Sequence, residues 1–425
     1  MFRLAEHGTS VRNEVLAGVT TFLTMAYITV VNPAILADAG MDFGAVFVAT
    51  CLAAALGTLI MGLYANYPIA LAPGMGLNAF FAYGVVHGMG YEWPVALGAV
   101  FLSGLLFMVL SVLPARAWII NAIPAGLKLA ISAGIGLFLA IIALKNAGIV
   151  VDHPASLVTL GDPLSWPVIL SFAGFVVIVA LARLKIPGAV VIGILATTAV
   201  GVVLGVSEWK GLAALPPDPT PTFLQLDIAG ALQIGLITVV FTFLFVDLFD
   251  TAGTLVGLAY RAKLLDHSGR LPRLGRALVA DSTATAAGAL FGTSTTTSYV
   301  ESAAGINAGG RTGLTALTVA LLFLLALFFS PLAQTVPGYA TAPALLFVAC
   351  LMTRGLAEVD WDDVTEAAPA VITAIAMPLT FSIAHGLGIG FITYVAVKVL
   401  SGRATDCPVA VYIIAALFVL KFALL

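Results

Sequence analysis

The chain has 425 residues, 61% of them hydrophobic and 9% charged, with 18 basic and 21 acidic side chains and a net charge of −3. A soluble domain carries about 25% charged residues, so this composition excludes a cytosolic globular protein. The lack of any basic stripe likewise excludes a nucleic-acid-binding surface. Cys51, Cys350 and Cys407 are too few and too scattered for a disulfide framework, a zinc site or an iron–sulfur cluster, and no cofactor is expected.

Taken in chain order, residues 1–14 are polar, and the apolar run at 15–36 is too long for a signal peptide and lacks a small-residue cleavage site. It reads as a retained span. Runs close to the roughly 20 residues of a bilayer-crossing helix follow at 43–64, 70–86, 93–113, 123–145, 166–182 and 188–206. After a Pro-rich loop at 215–223 they resume at 229–257, 276–291, 293–309, 312–332, 338–354, 368–384 and 386–400. The expected fold is therefore an all-α, multi-pass integral membrane protein with fourteen transmembrane segments. An apolar tail at 408–425 stands outside this count as a span, an interfacial helix or part of a redrawn last hairpin.

Short cytoplasmic loops are enriched in Lys and Arg. With the N-terminus inside, fourteen basic residues fall on the cytoplasmic side: Arg3, Arg12, Arg116, Arg183, Lys185, Arg261, Lys263, Arg270, Arg273, Arg276, Arg311, Arg354, Lys398 and Arg403. Only Lys145 and Lys210 fall outside, while Lys128 sits just within a span on the inner side. Seven segments precede the Pro-rich loop and seven follow it, so related halves must enter from opposite sides, giving two inverted repeats.

The third segment of each half is irregular. In the third segment overall, Pro73, Gly74 and Gly76 oppose a continuous helix, since proline removes a donor and glycine costs about 1 kcal/mol in a helix interior. In the tenth, Thr293 to Ser298 are six consecutive hydroxyl residues, four of them β-branched, which favours an extended run before a helix starting near Tyr299. Non-helical backbone at membrane depth must be buried in protein or line a cavity. Both short extended stretches are thus expected to meet at an interior site, with half-helix N-termini aimed into it.

Ionisable residues inside spans are costly and mark functional interiors. Asp247, Asp250, Thr251 and Thr254 share one face of the eighth segment, Glu301 lies in the first turn of the tenth half-helix, and Asn78 holds the corresponding place in the third. Asp281 is read as a partner of Arg273 or Arg276, or as a helix-start residue. Asn32-Pro33 reads as a helix terminator, and Phe80, Phe81 and Tyr83 as packing residues ahead of ligand-stacking ones. No base lies deep in any span, so three carboxylates favour a neutral or cationic solute, with an anion carrier or channel as the alternative. Asp247 and Asp250 share one helix, which argues against an intramembrane aspartyl protease. The residues alone predict a secondary transporter for a polar, planar solute, coupled to H⁺ or Na⁺ and not an enzyme.

Residues 73–83 (PGMGLNAFFAY), 245–254 (FVDLFDTAGT) and 292–302 (GTSTTTSYVES), with 309–314 (GGRTGL) after them, closely resemble the AzgA-like purine permeases of the second nucleobase cation symporter family. The resemblance covers essentially the whole chain and implies the 7+7 inverted-repeat fold of uracil permease. It implies a core domain at 15–113 and 229–332 that carries the substrate against a gate domain at 114–206 and 338–425, in an elevator-like cycle. It also implies proton-coupled import of adenine, guanine or hypoxanthine across a bacterial inner membrane, with a homodimer by analogy. The substrate residues it implies are Asn78, Asp247 and Glu301, with Asp250 in a supporting or coupling role; Gly76, Leu77, Thr297 and Ser298 at the two extended entries are expected to complete the recognition, and Thr251, on the face of Asp247 and Asp250, to share the supporting role.

Overall fold

The computed structural model describes residues 2–113, 123–262, 264 and 271–424. Arg116, Lys263 and Arg270 lie outside the described residues. The elements are α1 (Val11–Met25), α2 (Ile28–Asp38), α3 (Phe43–Ile60), β1 (Leu71–Pro73), α4 (Met75–Ala79), α5 (Trp93–Val112), α6 (Ala125–Asn146), β2 (Val150–His153), β3 (Leu157–Leu160), α7 (Trp166–Arg183) and α8 (Ala189–Val203). The second half supplies α9 (Ile234–Arg261), α10 (Leu274–Phe291), β4 (Thr296–Ser298), α11 (Ser302–Asn307), α12 (Gly313–Ala326), α13 (Gly338–Thr353), α14 (Val364–Leu379), α15 (Ile383–Leu400) and α16 (Val409–Leu424).

Nine helices among the described residues are long and apolar enough to cross a bilayer, and three shorter apolar ones accompany them. Every predicted segment has a counterpart. The tail is settled as well: α16 runs back antiparallel along α15, with Tyr412 donating to the Ala404 carbonyl at one end and Phe422 packed on His385 at the other. A small exposed hairpin, β2–β3, joins α6 to α7 and was not foreseen.

The first segment breaks at Ala26–Tyr27, not at Asn32-Pro33, which lies inside α2. Asn32 is fully buried and donates to Thr50 Oγ1 at 2.7 Å and Thr293 Oγ1 at 2.8 Å, so it ties α2 to α3 and to the start of the tenth segment.

Hydrocarbon gives apolar side chains no reason to associate, so helices in lipid pack through small residues that let backbones approach. One group is stitched this way: a methyl at Gly57 of α3 would lie 2.6 Å from Ala284 of α10, and Gly104 of α5 meets the α10 backbone at Ala286. Helices α1 and α12 join through Gly18 and Thr318. A second group centres on α6, whose Gly134 faces Met377 and Ala374 of α14 and whose Gly136 faces Met352 and Ala349 of α13.

One carboxylate locks the first group. Glu14 is fully buried and accepts from Arg311 N, Thr312 N, Thr315 N and Thr315 Oγ1, at 2.6 to 3.2 Å. The otherwise unpaired amides at the start of α12 are satisfied by a negative charge on the dipole's positive end.

Candidate functional site

The third and tenth segments meet as strands. β1 pairs antiparallel with β4 in the register Leu71↔Ser298, Ala72↔Thr297 and Pro73↔Thr296, extended by Gly74 N donating to Thr295 O and Tyr299 N to Ala70 O, both at 2.9 Å. Those outer bonds place Pro73 and Thr296 opposite one another in a non-hydrogen-bonded pair, where proline's missing N–H leaves no gap in the ladder. The outward edges are closed by hydroxyls, as a bilayer interior requires. Thr58 Oγ1 bridges the N–H and carbonyl of Leu71, and Thr285 Oγ1 donates to Thr296 O at 2.8 Å.

Helix α4 starts at Met75 and continues in π-helical form from Phe80 to Gly88. Helix α11 starts at Ser302, three residues after the predicted Tyr299, because a turn intervenes and places Glu301 at the N-cap. Tyr299 reaches back across the join, donating to Pro73 O at 2.6 Å.

Asn78, one turn into α4, is fully buried; its Oδ1 accepts from Ser294 Oγ at 2.5 Å, and its Nδ2 has no partner among the described residues. Leu77 is buried, and Gly76 lies against the second helix group: a methyl there would sit 2.3 Å from Ile135 Cγ2 of α6. Beyond the opposite end of the join, Glu301 is half-buried and accepts the Tyr27 hydroxyl at 2.6 Å through Oε1. Phe80 and Phe81 are core residues, Phe80 packing on Phe243 at 4.9 Å between ring centres. Tyr83 turns to Asp38.

On the eighth segment's polar face, Asp247 and Thr251, one turn apart, both meet α10. Asp247 Oδ2 accepts from Thr285 Oγ1 at 3.1 Å, and Thr251 donates to Asp281 Oδ2 at 2.9 Å while pairing with Thr297 Oγ1 at 2.7 Å. Asp250 is half-buried on the same helix. The hydroxyls of Thr297 and Ser298 turn toward this face, Ser298 donating to Asp281 at 2.9 Å.

Asp281 corrects the sequence reading. It forms no ion pair with Arg273 or Arg276, whose guanidinium groups lie over the Tyr67 and Tyr64 rings. It is fully buried among hydroxyls instead. The signal in the sequence was Thr285, one helical turn on from Asp281, repeating the Asp247–Thr251 spacing. Tyr27 escaped notice because a lone aromatic residue in an apolar span carries no distinguishing pattern. Lys398, in the last turn of α15, is fully buried and paired with Glu366 Oε1 at 2.7 Å, in the helix group centred on α6.

Comparison with known proteins fits this geometry. The sequence profile of the Permease family matches residues 12–389. The chain belongs to that family. Within it the chain is similar to the adenine permease AdeP of Escherichia coli (strain K12), with 49% identity over 99% of this chain and 95% of the relative. It is also 48% identical to the guanine/hypoxanthine permease PbuG of Bacillus subtilis (strain 168), over 100% of this chain and 99% of the relative. These matches bear out the AzgA-like purine-permease resemblance and make this permease a transporter rather than an enzyme. In fold it resembles the transmembrane domain of the cyanobacterial bicarbonate transporter BicA, with a TM-score of 0.69 at 17% identity over 92% of this chain and 98% of that one. The permease thus has the 7+7 inverted-repeat architecture.

Proposed function

We propose that this permease imports purine nucleobases by proton symport, with its N-terminus in the cytoplasm. The observation that carries the reading is the β1–β4 join, which sets Asn78 and Glu301 at the two ends of one two-stranded element. A neutral purine offers donors and acceptors in the plane of its ring. The unpartnered amide of Asn78 supplies a donor and the Glu301 carboxylate supplies acceptors. The names of AdeP and PbuG point to the same substrate class.

In this reading the helices around α3, α5, α10 and α12 form the substrate-carrying core, and those around α6 and α13 to α15 form the gate. Gly76 against Ile135 marks the surface along which they slide. A proton entering with the purine offsets carboxylate charge, so the loaded core crosses the hydrocarbon at lower cost. The test is uptake of labelled adenine, guanine, hypoxanthine and uracil, with sulfate as the anion control, into proteoliposomes under imposed pH or Na⁺ gradients. The expected result is saturable purine uptake driven by a pH gradient; sulfate uptake without purine uptake would overturn the reading.

A further inference from the structure

Two buried aspartates face one another across α9 and α10 in crossed pairs. Asp247 accepts from Thr285, and Asp281, one turn before Thr285 on its helix, accepts from Thr251, one turn after Asp247. The two carboxylates therefore occupy opposite corners of a four-residue square whose other corners are hydroxyls. Both side chains are wholly buried, and Oδ1 of each has no hydrogen-bond partner among the described residues. A bare carboxylate oxygen in a membrane interior is expensive, and here two sit in one cluster.

The hydroxyls cannot serve every acceptor at once. Thr285 has a single proton, yet its oxygen lies 3.1 Å from Asp247 Oδ2 and 2.8 Å from Thr296 O. Thr251 can donate to Asp281 while accepting from the Thr297 hydroxyl, or donate to Thr297 in its place, so the direction of the Thr251–Thr297 bond follows the state of Asp281. When a neighbouring aspartate is an anion, the hydroxyl serves the carboxylate; when it is an acid, the hydroxyl is released to β4.

We propose that Asp281 and Asp247 together hold the exchangeable coupling proton behind β4, and that Thr285 and Thr251 transmit its presence to that strand. The proposal rests on the purine-symport reading and deepens it. On loading, one O–H bond forms on a carboxylate and the pair loses one negative charge. Thr285 then donates to Thr296 O, securing the strand that leads to Glu301. On release the O–H bond breaks, and Thr285 returns to Asp247. Asp281 acts as a positioning and proton-holding residue and does not touch the purine.

The charged groups around the pair are few. Helix α9 contributes Asp250, and the tenth segment contributes Glu301 beyond the strand. Helix α6 brings Lys128 over the Phe249 ring. Arg273 and Arg276 of α10 are directed to Tyr67 and Tyr64, while α3, α5, β1 and β4, all packed on α10, carry no charged residue.

The experiment compares wild type, Asp281→Asn and Thr251→Val in proteoliposomes, measuring purine exchange at equal pH on both sides and accumulation under a pH gradient. One proton per purine gives about tenfold accumulation per pH unit. Asp281→Asn should abolish that accumulation while exchange stays within about threefold of wild type, a coupling loss rather than a binding loss. Thr251→Val, which keeps both carboxylates, should shift the pH midpoint of uptake and decides the matter if Asp281→Asn does not fold. Wild-type accumulation in Asp281→Asn, or an unmoved midpoint in Thr251→Val, would overturn the proposal while leaving purine transport standing. A wild type that exchanges no purine would overturn both.

Discussion

Tyr27 donates its phenolic hydroxyl to Oε1 of Glu301 at 2.6 Å, joining the break in the first span to the N-cap of the tenth. In the proposed function the bond orients the carboxylate and its other oxygen meets the purine. Hydrogen bonds to charged groups are worth about 1.5–3 kcal/mol, so Tyr27→Phe should weaken purine binding about tenfold or more with the protein still folded. Equilibrium binding of labelled hypoxanthine or adenine to the purified protein checks this.

Gly76 faces Ile135 so closely that any side chain must displace a β-branched neighbour. Gly76→Ala should slow uptake strongly. Adding Ile135→Ala, which removes the obstructing methyl, should restore much of the rate. Initial rates for the two single variants and the pair, read as a double-mutant cycle, measure the coupling.

Lys398 is buried against Glu366, with Tyr394 donating to the same Glu366 oxygen at 2.9 Å and Thr365 accepting from the ammonium at 2.8 Å. Removing one partner of a buried pair costs about 3–5 kcal/mol. Lys398→Met should therefore lower the thermal midpoint in detergent clearly, since it strands the Glu366 carboxylate.

Beside this pair, at the start of α14, the Thr365 hydroxyl and then the Arg403 guanidinium hold the Asp363 carboxyl well below the usual carboxylate range. A depressed folded value means that its contribution is complete above the unfolded value of about 3.9 and disappears as pH falls through the folded one. Thermal stability should stay level through neutral pH and fall only in strong acid. Asp363→Asn should flatten that acid limb, as a scan of melting against pH would show.

Much of this was legible in the sequence. Pro73, Gly74 and Gly76, set against the hydroxyl run 293–298, announced two broken helices, because the cost of interrupting a helix in lipid leaves few alternatives to an interior join. Asn78, Asp247 and Glu301 stood out because polar side chains are rare in apolar spans. What stayed hidden depended on partners distant in the chain. Asp281 is five residues from Arg276 and looked like half of an ion pair, yet the arginines cover Tyr64 and Tyr67, and the aspartate turns to Thr251 and Ser298. Asn32 beside Pro33 resembled a helix stop, but its amide is needed to tie α2 to α3 and the tenth segment, and the helix runs through. Lys398 and its acidic partners lie 32 to 35 positions apart and meet only because α14 and α15 fold back on one another.

The most direct measurement is binding of labelled purine to the purified protein, to Asn78→Ala and to Glu301→Gln, with Glu6→Gln, at an exposed position, as a control. Wild type and Glu6→Gln should bind purine saturably, and each of the two site variants should lose at least about tenfold in affinity, since a buried polar contact is left unmet. Full affinity in both site variants would show that the purine is held elsewhere, and the assignment of the β1–β4 join as the substrate cradle would be wrong.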